Sequence, residues 1–356
     1  MWDARVDELA RILVHYSTRV QPGETALIRG GVAATPLLLA CYREVLRAGG
    51  LPVLWPDLDD AQRLLLSEGG EAHLDFLPRA QVVAVEDAQC VIRVDAPTNA
   101  RALSQTDPAR MVRLAKTVRP LRELVLRRRW VLCQYPTEAL AQEADMALAD
   151  FADFLFGATN RDWSAVRDFH QRLKARLEAG RELRIVGPDT DLTLGIAGRT
   201  WIPASGEHNM PDGEVFSAPL EDQVNGVIAY DFPAIHAGRE VEGIRLVFRD
   251  GAVVEATARK NEAYLIQTLD ADAGARRLGE VGIGTNERIT RFSKSILFDE
   301  KIGGTAHLAV GMAYRETGGV NESSIHWDMI KDLRQGGALY LDGQLLQEHG
   351  RWLLES

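Results

Sequence analysis

Five side chains of metal-ligand type stand in the second half of the chain: Glu214, Glu280, His307, His326 and Asp328. Three carboxylates and two imidazoles form a mixed oxygen and nitrogen set that suits a pair of divalent cations, and hence a hydrolase. Glu214 lies in the turn-rich run Glu207-His208-Asn209-Met210-Pro211-Asp212-Gly213-Glu214-Val215-Phe216-Ser217-Ala218-Pro219. There Pro211-Asp212-Gly213 turns the chain and Val215-Phe216 enters a strand. Ser324-Ile325-His326-Trp327-Asp328 favours an extended segment, in which residues two apart face the same side. His326 and Asp328 then point together, with Trp327 on the other face. His307 lies in the apolar run Thr305–Tyr314; if that run is helical, His307 and Tyr314 share a face. A phenol beside the site would donate a hydrogen bond to a developing oxyanion. Glycines on both sides of Glu280 leave room for the backbone to approach a cofactor.

Each residue also has a plain reading. His326 and Asp328 fit a hydrogen-bonded pair, and His307 a satisfied core histidine. Glu280 fits an ion pair with Arg276 or Arg277, and Glu214 a solvated turn acid. His208 stands near Glu214 as a rival ligand.

The elements that must position these residues follow from patterning. Val6, Leu9, Ala10 and Leu13 recur at helical spacing. Short apolar strands at 25–28, 51–54 and 130–133, with further apolar runs at 81–85 and 90–94, alternate with helical stretches, one with Thr35 as cap and Pro36 as its first residue and one from Met111. A long helix is expected from Pro136-Thr137 through Phe154. This alternation predicts an α/β, Rossmann-like N-terminal domain over residues 1–186 with a parallel sheet. No G-x-G-x-x-G follows a strand, so Gly30-Gly31 and Gly279, Gly282 and Gly284 read as packing or turn glycines. The character changes near residue 180. Asp191–Ile196 alternates strictly, and Asp250-Gly251 and Asp342-Gly343 mark hairpins. An α+β metal-binding domain is expected over 187–356.

With 356 residues, two domains are the natural prior, and a formal net charge of −10 argues against nucleic acid as a general partner. Cys41, Cys90 and Cys133 form no CxxC and sit in apolar segments. Buried reduced thiols and a cytoplasmic home are expected. No stretch is apolar enough to span a membrane, and Met1–Arg5 carries acid early without an apolar signal region.

The order and spacing of several segments resemble the thermophilic aminopeptidase family of metallopeptidases. They are Asn209–Pro219 with Asp222-Gln223-Val224-Asn225-Gly226, Leu278-Gly279-Glu280, Leu297-Phe298-Asp299-Glu300-Lys301, His307 with Tyr314, and Ser324–Ile330. The first half, at Tyr42–Gly49 and Asp95–Asn99, is similar more diffusely. The resemblance implies that Glu214, Glu280, His307, His326 and Asp328 are metal ligands and Tyr314 the catalytic tyrosine, with Glu214 and Glu280 also serving catalysis. It implies a cytoplasmic homodimer that removes N-terminal residues from peptides with two divalent ions per chain. Zn, Co, Mn, Mg or Fe would all suit the set. Two departures stand out: the chain is short before Glu214, and Gly213 replaces a second acid found in many members. Two rival readings remain. One is a mononuclear iron dioxygenase acting on a dihydroxypyridine-type ring, the other a non-catalytic binding protein on the same scaffold.

Overall fold

The computed structural model describes residues 3–353; Met1 and Trp2, part of the acidic start, and residues 354–356 lie outside the described residues. The chain divides into two compact units. One runs up to Arg161 and includes Gly206–Pro211; the other comprises Asp162–Ser205 and Asp212 onward.

In the first unit, five parallel strands form one sheet. Their order is Leu51–Asp57, Thr25–Gly31, Cys90–Asp95, Arg129–Gln134 and the two-residue strand Asn209–Met210. The opening helix Ala4–Arg11 is capped by the Asp3 carboxylate accepting from Arg5 N, and it buries Val6, Leu9 and Ala10 as the spacing predicts. Gly30 is a packing glycine: a Cβ there would lie 2.5 Å from Val94 O. The three cysteines are free and buried. Two local expectations need correction. The helix expected from Pro136 through Phe154 is two helices, Glu138–Glu143 and Leu148–Thr159, parted where Asp145 adopts a φ of 54°. Thr35 is the first residue of the helix Thr35–Arg47 rather than its cap.

In the second unit, the helix Trp163–Glu178 is capped by Asp162 and buries Trp163, Val166, Leu173 and Leu177. Two large antiparallel sheets follow, with a two-stranded ribbon of Ala234–His236 and Arg239–Val241. The larger has eight strands, and the alternating segment Thr190–Gly195 runs in its middle between Glu182–Gly187 and Val224–Ala229. Both Asp-Gly hairpins form, between Arg245–Arg249 and Ala252–Thr257 and between Ala338–Leu341 and Gln344–Glu348.

The smaller sheet has five strands in the order His326–Asp332, Thr305–Gly311, Leu278–Gly284, Glu214–Ser217, Ile202–Ala204. Its pleat gives it two different faces. Val215, Val281, Ile283, Ala306, Leu308, Val310, Trp327 and Met329 join one hydrophobic core with Leu183, Ile185, Leu192, Leu194 and Ile228 of the larger sheet. The opposite face carries the ligand-type side chains.

Candidate metal centre

Register brings the five residues together. Gly284 pairs with Glu214, Gly282 with His307, Ala309 with Asp328, and Gly311 with His326. A bulge at Leu278–Glu280 sets Glu280 opposite Ala309 on the other side of the same central strand. Adjacent strands lie about 4.8 Å apart, so four strands crossing the site bring their side chains into one nest. His307 therefore stands on a strand, not a helix, and Tyr314 lies just beyond it in a loop. The expected helical alignment of the two is wrong, yet the partnership survives by another route. The Tyr314 ring packs on Phe216 at 5.9 Å and on His326 at 5.1 Å between centroids.

Two glycines make the nest possible. A Cβ on Gly282 would lie 2.1 Å from the His307 ring, so only a glycine leaves that imidazole its place. Gly213 takes a φ of 125°, and a Cβ there would lie 2.7 Å from the Asn286 Cβ. The Asn286 amide in turn donates to Asp212 O at 2.9 Å, which fixes the entry to Glu214.

His307 Nε2 lies 3.1 Å from Glu280 Oε1 and 3.2 Å from Glu214 Oε2. His326 Nε2 lies 3.4 Å from Glu280 Oε2 and 3.7 Å from Asp328 Oδ2, and its Nδ1 donates to Met312 O at 2.8 Å. That last bond orients the ring so that Nε2 faces the acids, as ligating imidazoles are usually held. Among the described residues, the ion pair that is the plain reading of Glu280 does not form, and His208 turns elsewhere. Arg276 pairs with Asp270, Arg277 donates to Glu221 O, and the His208 ring stacks on Trp130 at 4.7 Å.

Glu214, Glu280 and His307 are buried, and the acids and imidazoles of the site shift one another strongly. Burial pushes Glu214 up to about 8 against the pull of Lys301. Burial and the charge on Glu280 push Asp328 up to about 6. Glu280 is held down to about 2, burial notwithstanding, by the imidazoles of His307 and His326. Burial favours neutral imidazoles, but the neighbouring carboxylates outweigh it and hold His307 up to about 10 and His326 up to about 9. Burial and the same carboxylates keep the Tyr314 phenol well above its ordinary value.

A divalent cation fits this donor set. Glu214 Oε2 and Asp328 Oδ1 are buried without a hydrogen bond, so their lone pairs face inward unsatisfied. Two groups have ligand atoms within 4.8 Å of one another: Glu280, His307 and Asp328, and Glu214, Glu300 and His307. Glu300 was not among the residues expected at the site. Nor was Lys301, whose fully buried Nζ lies 3.4 Å from Glu214 Oε1 and hydrogen-bonds Glu300 Oε1. Their signal in the sequence is an Asp-Glu-Lys run just before an apolar strand, and nothing local separates that from a solvated turn. His326 and Asp328 also border a cavity of ≈170 Å³ walled by Pro233, Ile235, Phe292, Ile296 and Ile330.

Known proteins share this architecture. The sequence profile of the family described as thermophilic metalloprotease (M29) matches residues 2–352. Aminopeptidase 2 of Geobacillus stearothermophilus is 28% identical, with 92% of each chain covered. Aminopeptidase T of Thermus thermophilus is 26% identical, with 98% of each covered. The solved structure of wild-type AmpT from Thermus thermophilus superposes with a TM-score of 0.85 over 99% of both chains at 25% identity. A 2,5-dihydroxypyridine dioxygenase from Pseudomonas putida KT2440 superposes with a TM-score of 0.62 at 13% identity, covering 100% of this chain and 99% of its own. That likeness is one of fold alone. The match along nearly the whole chain places this protein in the thermophilic metalloprotease family M29.

Proposed function

We propose that this protein is a metal-dependent aminopeptidase whose centre lies on the outer face of the five-stranded sheet. The observation that carries the reading is the convergence of Glu214, Glu280, Glu300, His307, His326 and Asp328 in one nest that leaves buried oxygens of Glu214 and Asp328 without a hydrogen bond. These residues would hold two divalent ions, one among Glu214, Glu300 and His307 and one among Glu280, His326 and Asp328. Glu280 lies beside both imidazoles and would help hold the ion next to either. When bound, the ions supply Lewis-acid polarisation of the scissile carbonyl and lower the pKa of the attacking water.

The aminopeptidase names of the relatives support action at a free N-terminus. The chain's own groups do the rest. Tyr314 stays protonated and donates to the oxyanion as it forms. The cavity beside His326 and Asp328 takes the first side chain. At ≈170 Å³ it suits an isobutyl or benzyl group, given that an apolar cavity of about 150 Å³ holds benzene. The family likeness further supports a cytoplasmic, dimeric enzyme acting on peptides. No described helix is long and apolar enough to cross a membrane.

Glu214→Gln and His326→Ala test the assignment. Each is expected to lower kcat/KM on leucine p-nitroanilide by about 10²-fold or more, since each removes a group that acts in the transition state. Undiminished hydrolysis by both variants would remove these residues from the site. One observation favours a second reading: His307, His326 and Asp328 alone make the two-histidine, one-carboxylate set of non-haem iron oxygenases. Oxygen consumption with a dihydroxypyridine, in place of peptide hydrolysis, would select it.

A further inference from the structure

Lys301 is left unused by that reading, and its placement is costly enough to need a reason. Its side chain is fully buried, and a buried ammonium persists only where carboxylates face it. Here Glu214 and Glu300 do so directly, with Nζ 3.4 Å from Glu214 Oε1 and hydrogen-bonded to Glu300 Oε1. The backbone is fixed as well. Lys301 N donates to Phe298 O at 3.0 Å, and Lys301 O accepts from Asn286 N at 3.0 Å. Asn286 is the residue that seats Asp212 and Gly213, so Lys301 and Glu214 are held by one shared support.

The ammonium thus sits on two of the three ligands of the Glu214–Glu300–His307 group. An ion entering there meets a like charge a few ångströms away and finds one oxygen each of Glu214 and Glu300 engaged by it, although Glu214 Oε2 is as open as Asp328 Oδ1 on the other side. The third ligand is contested. His307 Nε2 has a single lone pair, and it stands 3.2 Å from Glu214 Oε2 and 3.1 Å from Glu280 Oε1. Used on the Glu280 side, it is lost to the Glu214 side. The Glu280 side has no ammonium on it, keeps His326, and has the open Asp328 Oδ1.

We propose that Lys301 is a built-in counter-ion that makes the two cation positions unequal. The position at Glu280, His326 and Asp328 retains its divalent ion, whereas the position at Glu214 and Glu300 binds one weakly and exchangeably. The inference rests on the metal-centre reading above but not on which reaction the centre performs.

The test is metal binding by the full-length protein. Apo protein is titrated calorimetrically with Zn²⁺, and Zn-loaded protein is passed through a metal-free desalting column and assayed for zinc per chain. Wild type is expected to retain about one ion and to show a second site at least tenfold weaker. Lys301→Met, close in length and uncharged, is expected to tighten the weaker site at least tenfold and leave the tighter one within threefold. Two sites of equal affinity in wild type, no binding at all, or a weaker site unmoved in the folded variant would overturn the proposal. If Lys301→Met does not fold, Glu300→Gln decides: it must weaken only the weaker site, and loss at the tighter one counts against the proposal. Unequal sites without peptide hydrolysis would overturn the aminopeptidase reading while leaving this inference standing.

Discussion

Tyr314 shows how much of the chemistry depends on one side chain's surroundings. Its phenol is pushed up by burial and by the carboxylates of Glu280, Asp328, Glu300 and Glu214, so it stays protonated throughout the neutral range. Tyr314→Phe is therefore expected to lower kcat by about 10²-fold or more with little change in KM, as the loss of one oxyanion donor does. Because the raised phenol loses its proton only above its ordinary value near 10, the ratio of wild-type to variant kcat should be flat from pH 6 to 9. A ratio that falls steeply over that range would mean the phenol titrates and is not the donor. The other candidate residues, Glu214, Glu280, His307, His326 and Asp328, stood out by type, but each also had a plain reading, and it was the family resemblance that singled them out together. Glu300 and Lys301 were not among them. A carboxylate and an ammonium side by side are common on surfaces, and only burial distinguishes this pair.

At the scale of elements, alternation was informative where one face is buried and silent where both are. His326 and Asp328 share a face because their strand alternates, as its sequence predicts. Thr305–Gly311 is buried along its whole length, and an apolar run of that kind reads equally as helix or strand. Only pairing on both sides, to Leu278–Gly284 and His326–Asp332, settles it, and pairing is non-local. The turn before His326 carries its own clamp. Asp272 Oδ2 accepts from Ser324 N and Ser324 Oγ, both at 2.7 Å, and from Ser323 Oγ at 3.0 Å. The Ser324 N–H leads these bonds in holding its carboxyl down to about 2. A folded-state value below the unfolded one, about 3.9, means that this contribution is complete above pH 4 and is lost as pH falls toward 2. Asp272→Ala is expected to cost about 1 kcal/mol at pH 7, the figure being kept small because the group is partly solvated. Urea midpoints at pH 7 and pH 2.5 check this. The gap between wild type and variant should narrow at the lower pH, and a constant gap would assign the loss to packing instead.

At the scale of the whole molecule, the architecture explains why the site sits where it does. Among the described residues, a core of the second unit lies between its two large sheets, and the inner face of the five-stranded sheet is committed to it. Polar chemistry is left to the outer face, where glycine at 213 and 282 gives the space that a β-sheet surface otherwise denies. The alternating strands and helices of the first half and the hairpins of the second were readable because local turn chemistry and periodicity agree with the final fold. The return of Asn209–Met210 to the parallel sheet was not, since two residues carry no periodicity. The central claim is that the nest works only with divalent ions in it. The most direct measurement is hydrolysis of leucine p-nitroanilide by chelator-stripped protein during stepwise return of a divalent metal, with bound metal counted at each step. Activity should vanish on stripping and return as metal is taken up. Full activity in protein shown to be metal-free would contradict the account.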